Sequence, residues 1–189
     1  TTSLSNLPQQ VSPRNVFRDR FFSLMIDNDF PCGNSAYLTL GDRSDWLLHI
    51  LNLPSLTPAL ENAFLAVCTA RLGRFAARPA LVHESLGLYT RGVSQVRRNI
   101  LDKSLQKDDQ SLAACLSLLW YEVMECPGGT LDGYRAHYRG CFELLRMRGA
   151  AAHTSGLAHT TLQILRLHAV SHGCSFCFPH RHCFKLVNN

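Results

Sequence analysis

The chain has 189 residues, a formal net charge of +5, 46% hydrophobic residues and 17% charged residues. This balance excludes an intrinsically disordered chain and suits one domain with a sizeable core. The most apolar run, Leu112 to Tyr121, falls well short of the roughly 20 residues of a membrane span, and the scattered basic residues (Arg97, Arg98, Lys103, Lys107, Arg146, Arg148) read as solvated helix surface rather than a nucleic-acid face.

The first residue is Thr1 rather than Met, which predicts a piece of a longer protein; no positively charged start leads into an apolar stretch as in a secretory signal. Residues 1–41 carry Ser, Pro, Gln and Asn without sustained periodicity and read as a linker or irregular segment. Within them the aromatic stretch NVFRDRFFSLMI is open between a short helix and a strand.

Residues 42–51 predict a short helix, capped by Asp42 or Ser44, with Trp46, Leu47, Ile50 and Leu51 facing inward. The next helix has a clear start. Thr57 is a good N-cap, and Pro58 suits the first position because its missing N–H would be unpaired there anyway. Leu60, Phe64, Val67 and Arg71 trace its face, widened by Ala63 and Cys68. Then Val82, Leu86, Tyr89, Val93, Val96 and Ile100 recur at helical spacing. Gly87 and Gly92 weaken that helix by about 1 kcal/mol each but invite a close neighbour. Asp108 or Asp109 caps a further helix, whose stripe Leu112, Leu116, Leu119 and Val123 is joined by Cys115, Trp120 and Met124. A helix apolar nearly all round belongs in the middle of a bundle; Pro127, Gly128 and Gly129 end it. Thr130 or Asp132 opens another, facing inward through Tyr134, Tyr138, Cys141, Leu145 and Arg148, with Arg146 and Arg148 at its negative dipole end and Gly149 as the stop. Thr154 or Ser155 opens the last, with Leu157, Thr161, Ile164, Leu165 and His168 on one side until the pattern ends after Val170. The expected fold is all-α: an antiparallel bundle or stacked helical hairpins over 42–170, with 171–189 an irregular tail.

Reactive constellations are sparse. In the tail SHGCSFCFPHRHCFKLVNN, Cys174 and Cys177 have a zinc-ligand spacing, with His172, His180, His182 and Cys183 nearby, but the second ligand pair lies too close, and an irregular end without bound metal is the expectation. HESLG, from His83, lacks the second histidine of a helical zinc-protease motif, and GNSAY, from Gly33, has Tyr37 where a nucleophile elbow needs glycine. Glu122 and Glu125 are one turn apart and read as an exposed helix edge rather than an acid/base pair. The singly scattered His137, His153, His159 and His168 read as hydrogen-bonded core or surface histidines rather than ligands. Cys68, Cys115, Cys126 and Cys141 fall in apolar helical patterns and read as reduced core thiols. No catalytic, cofactor-binding or metal residue is assigned.

Three stretches taken in order carry a resemblance: ALVHESLGLYTRGVSQVRRNI, DDQSLAACLSLLWYEVMECPGGTLDGYRAHYRGCFELLRMRG and HTSGLAH. The helix with LAAC and YE, the break at proline, the Y..H..G helix ending in RG and the H.SG turn resemble the fungal-specific transcription factor domain, over Pro58 to about Val170. That family's regulatory region lies downstream of a zinc binuclear cluster. The resemblance implies a non-catalytic regulatory role in RNA polymerase II transcription, a nuclear location, and partners among the transcription machinery or regulatory proteins. It is compatible with a homodimer and a small-molecule effector, and implies neither membrane nor direct nucleic-acid contact. The six closely spaced cysteines of the DNA-reading module are absent here, so zinc is expected only in a separate module of the parent. The family's full domain is longer, so the bundle is expected to be truncated. A small-molecule pocket would be lined by Tyr89, Gly92, Trp120, Tyr134 and Tyr138; the competing reading makes them core. Two other functions stand beside the regulatory one: a generic helical interaction scaffold, and a zinc-dependent enzyme using the Cys/His tail.

Overall fold

The computed structural model describes residues 40–173, with side-chain surroundings for 46–166. Among the described residues six α-helices follow one another: α1 Leu40–Leu51, α2 Pro58–Phe75, α3 Pro79–Leu101, α4 Asp109–Glu125, α5 Asp132–Arg148 and α6 Gly156–Gly173, with a 3-10 turn at Ala150–His153 before α6. No strand occurs among the described residues, so the expected all-α class stands. The aromatic stretch 15–26 lies outside the described residues.

The helix starts follow local chemistry. Thr57 is extended (φ −64°, ψ 150°) and its hydroxyl accepts the Leu60 amide, with Pro58 at the first helical position. Asp108 caps α4 by accepting the Gln110 amide. Gln110 itself accepts the Thr57 amide at 2.7 Å and donates to the Ser55 carbonyl at 3.2 Å, which joins the start of α2 to the start of α4. At the far end Arg74 of α2 pairs with Glu125 of α4 at 2.7 Å. Hence α2 and α4 run the same way, and α3, connected by short turns, runs back between them. Helix α5 is antiparallel to α4: its first turn lies beside Glu122 and its last turn beside Asp109.

Helix α4 is the centre. Every residue from Ser111 to Leu119 is buried, as are Tyr121 and Glu122, and it packs against α2, α3, α5 and α6. Leu60, Ala63, Phe64 and Val67 of α2 join this core, as do Leu144 and Leu145 of α5 and Ile164 and Leu165 of α6. Trp46 brings α1 in: its ring stacks on Trp120 at 6.1 Å, meets Phe64 edge-on at 5.9 Å, and its indole N–H donates to Thr161 at 3.0 Å.

The glycine expectation divides. At Gly92 a Cβ would stand 3.1 Å from the Ala63 backbone, so its missing side chain sets the α2–α3 approach; Gly87 has only an arginine tip within reach. Gly73 makes a second tight contact, with a Cβ position 2.8 Å from Val82.

Four local expectations need correction. Leu86 is 40% exposed and Val123 52%. The fully buried line of α3 runs through Ser85, Gly92 and Val96, with Tyr89, Val93 and Ile100 of the expected stripe partly buried against the core beside it, because the small residues let that helix lie close on α2. Asp42 and Ser44 do not cap α1, which is already helical at Leu40. Helix α5 does open at Asp132, one of the two expected openers, but its cap position is Leu131, without a side-chain bond. Cys126 is only half-buried: it ends α4 in a left-handed conformation (φ 42°), and its thiol donates to the Thr130 carbonyl. As expected, Gly149 stops α5 at positive φ (76°).

Candidate functional site

A helix that is buried along most of its length leaves little solvent face on which to place a charged residue. Helix α4 carries Glu122 near its C-terminal end, and this carboxylate is drawn into the protein. The residue is 5% exposed, and its carboxylate lies over Gly133 of α5, where a Cβ would collide with it. The Glu125 side chain, one turn on, is 6% exposed and paired with Arg74. The expected exposed helix edge is therefore overturned. Both carboxylates are committed to contacts with other helices, because the C-terminal half of α4 is covered by α2, α3 and α5.

Around Glu122 the hydrogen bonds form a directed chain. The Tyr89 hydroxyl donates to Glu122, and His137 of α5 places Nε2 3.0 Å from the Tyr89 oxygen. With the tyrosine proton given to the carboxylate, the imidazole acts as the donor to the tyrosine oxygen. The Tyr89 ring stacks on Tyr121 at 4.6 Å and meets the His137 ring edge-on at 5.9 Å. Tyr121 is fixed in turn: the Ser85 hydroxyl donates to the Val82 carbonyl at 2.6 Å, which leaves Ser85 to accept the Tyr121 hydroxyl at 3.0 Å. Burial, followed by the bond to Glu122, holds the Tyr89 proton well above the ordinary tyrosine range. Burial likewise raises Tyr121, against the Ser85 bond that lowers it.

This arrangement is a clamp joining α3, α4 and α5. Each hydroxyl proton already has an acceptor, and the Ser85 hydroxyl is spent on a carbonyl of its own helix rather than activated by a base. The expected pocket residues divide between neighbourhoods. Tyr89 lies in the clamp, Trp120 lies against Trp46, Gly92 is filled by Ala63, and Tyr134 stacks on Tyr138 at 6.0 Å along α5. His83 and Glu84 of HESLG are exposed on α3. Among the described residues no group of three His, Cys, Asp or Glu is placed to hold a metal ion. Cys174, Cys177, His180, His182, Cys183 and the GNSAY segment lie outside the described residues, as do the side chains of His168 and His172.

A second polar joint closes the other end of α4. Arg148, at the end of α5, has a side chain only 2% exposed; it pairs with Asp109 and donates to the Lys107 carbonyl at 2.8 Å. Arg148 therefore does more than sit at a dipole end: it ties α5 to the loop and cap of α4. His153 of the 3-10 turn is buried beside it, and burial first, then the Arg148 charge, lowers its pKa below the ordinary 6.5. The clamp and this joint were missed as sites in the sequence. The available signal was a carboxylate or guanidinium falling on an apolar stripe: Glu122 on α4 and Arg148 on α5.

No helix among the described residues is long and apolar enough to cross a membrane. No curated protein and no solved structure matches the chain. A family model does: the fungal specific transcription factor domain matches over residues 1–189, covering the whole chain and not only the stretch from Pro58 to Val170 in which the resemblance is legible. With motif order, all-helical architecture and family match in agreement, the chain belongs to the fungal specific transcription factor domain family and is a domain of a transcription regulator.

Proposed function

We propose that this chain is the non-catalytic regulatory region of a nuclear, DNA-binding regulator of RNA polymerase II genes. It acts through contacts with the transcription machinery or with regulatory proteins, while a separate zinc-cluster module of the parent reads DNA. The observation that carries the reading is the family match along the full length of the chain. The interior agrees with it. The buried acids of α4 are spent on Tyr89 and Arg74, which link helices and leave the outer faces as the recognition surface. The basic residues support the absence of direct nucleic-acid contact: Arg97 and Arg98 sit on α3 and Arg146 on α5, where Arg146 pairs with Glu143. Homodimerisation and binding of a small effector between helices belong to the same reading.

The test is to tether residues 1–189 to a heterologous sequence-specific DNA-binding module in yeast and to measure reporter RNA. The expected outcome is a several-fold change, of either sign, relative to the module alone. Equal output from the two would remove the regulatory role. Fluorescence anisotropy of the untethered chain with duplex DNA at physiological salt should give binding no tighter than about 10⁻⁶ M, the non-specific range. Tighter, sequence-dependent binding would contradict the division of labour between modules.

A further inference from the structure

The connection from α3 to α4, RRNILDKSLQK over residues 97–107, combines two surface features. The first is charge without partners. Arg97, Arg98, Lys103 and Lys107 are all exposed. Arg74, Arg135, Arg146 and Arg148 each pair with a carboxylate, whereas these four pair with none among the described residues. Asp102, the one acid between them, is spent on its own turn: its Oδ1 accepts the Ser104 amide at 2.9 Å and the Ser104 hydroxyl at 2.6 Å. The second feature is apolar. Leu101 is 76% exposed, more than any other large hydrophobic among the described residues, and Leu105 is 36% exposed.

Neither leucine hangs on a loose segment. Leu101 is the last residue of α3, so Arg97 and Arg98, four and three residues earlier, lie one turn back on the same face. The chain then makes one pinned turn. The amides of Leu105 and Gln106 both donate to the Asp102 carbonyl at 3.0 Å, and the Asp108 amide donates to the Leu105 carbonyl at 3.2 Å. From the inner side the Gln106 amide group donates to the Ile100 carbonyl at 2.6 Å, and Arg148 donates to the Lys107 carbonyl at 2.8 Å. A single exposed leucine is ordinary. Two leucines held outward by a fixed turn, flanked by unpaired cations, have the layout of a binding surface: an apolar centre and a charged rim.

We propose that the α3–α4 turn docks an acidic amphipathic segment of a regulatory protein, whose apolar side chains cover Leu101 and Leu105 while its carboxylates meet Arg97, Arg98, Lys103 and Lys107. The proposal names a partner surface within the regulatory reading and rests on it. Charge complementarity selects the occupant. A basic segment would be repelled by four cations, and a neutral one would leave them unanswered. A second copy presenting the same patch would set like charges against one another. Nucleic acid would answer the cations through its phosphates but give the leucines no apolar surface to bury against. The pinned turn keeps the ordering cost on this side low, so a short segment suffices. The far end of the bundle makes the contrast: Phe75 is 73% exposed, but the neighbouring Arg74 already answers Glu125.

The test titrates residues 1–189 into a short fluorescent peptide built from Asp, Glu, Leu and Phe, read by anisotropy at low and at physiological salt. The expected result is saturable binding that weakens as salt rises. Leu101→Gln combined with Leu105→Gln weakens it by about tenfold or more. Lys103→Glu combined with Lys107→Glu does the same. Phe75→Gln leaves it unchanged. All of these side chains are exposed, and thermal melts check that each variant keeps the fold. The same peptide with alanine at every Leu and Phe, and duplex DNA, bind at least about tenfold more weakly. Absence of binding by the wild-type chain, which needs no variant to fold, overturns the proposal. So does wild-type affinity in the leucine variant, or equal affinity for the alanine peptide or the DNA, which would make the turn a general polyanion site. Self-association of the chain that the leucine variant abolishes would assign the patch to a second copy and overturn it too. Failure of the regulatory reading is separate: it appears as an inert tethered chain in the reporter assay, whereas a reporter change that persists in the leucine variant overturns the docking surface alone.

Discussion

Helix α4 meets polar partners at both ends, and the two ends solve opposite electrostatic problems. At its first turn Asp108 and Asp109 sit where the helix dipole favours negative charge, and Arg148 is drawn into the core to join them. At its last turns Glu122 and Glu125 sit where the dipole disfavours negative charge, and they depend on partners from other helices, Tyr89 and Arg74. The N-terminal joint is supported by the helix itself. The C-terminal clamp stands only because α3, α5 and α2 converge on it. Buried polar contacts of the second kind act as a register: they are satisfied in one arrangement of helices and costly in others.

The apolar middle of α4 sets the scale against which both ends are measured. Leu116→Ala, at a fully buried position, should cost about 3 kcal/mol in urea unfolding through the cavity it leaves. A loss of well under about 1 kcal/mol would mean that the centre of the bundle is elsewhere.

The ends should cost less and differ from each other. Tyr89→Phe removes the Glu122 bond and the His137 contact and should lower stability by about 2 kcal/mol, because a buried carboxylate loses a partner. Arg148→Met should cost about the same or slightly less, since Asp109 is half-exposed and water replaces part of what it loses. If Arg148→Met proved clearly worse than Tyr89→Phe, the contrast between a dipole-supported and a convergent joint would be reversed.

Their pH dependence separates them further. His153, beside Arg148 and Asp109, has a folded pKa below 6.5. The unfolded chain therefore binds the proton first as pH falls, and stability is lost below about pH 6.5. His153→Gln should flatten that acid limb. Tyr89 and Tyr121 have folded pKa values above 10. The unfolded chain therefore loses those protons first as pH rises, and stability is lost above about pH 10. Tyr89→Phe should flatten part of the alkaline limb and leave the acid limb untouched. Thermal melts across pH read both. The smallest effect belongs to Arg146→Ala, whose guanidinium and Glu143 partner are 69% and 55% exposed. Its melting temperature should stay near wild type and respond weakly to salt.

Helix positions were legible because each follows from a local rule. Thr57 and Pro58 start α2 where the capping pattern places them, Asp108 starts α4, and Gly149 stops α5. The central place of α4 was legible from its all-round apolar sequence. The facing of α3 was legible only in part: Tyr89, Val93, Val96 and Ile100 of the expected stripe do pack against the core, whereas Leu86 is exposed and the fully buried line also runs through Ser85 and Gly92. Periodicity counts apolar side chains, and a close helix contact is made by small ones. The clamp was hidden for a related reason. Spacing places Glu122 and Glu125 one turn apart, but only the packing of α3 and α5 decides whether that turn faces water or Tyr89 and His137.

The amino-acid order by itself determined where the helices begin and end, that they form an all-helical fold, and which family the chain belongs to, because caps, breakers and apolar period act over a few residues. Tertiary structure alone decided that α2 and α4 run parallel, that two acids of α4 are interior, and that Trp46 of α1 donates to Thr161 of α6. Those facts depend on residues far apart in the chain being brought within bonding distance, and no local rule encodes that distance.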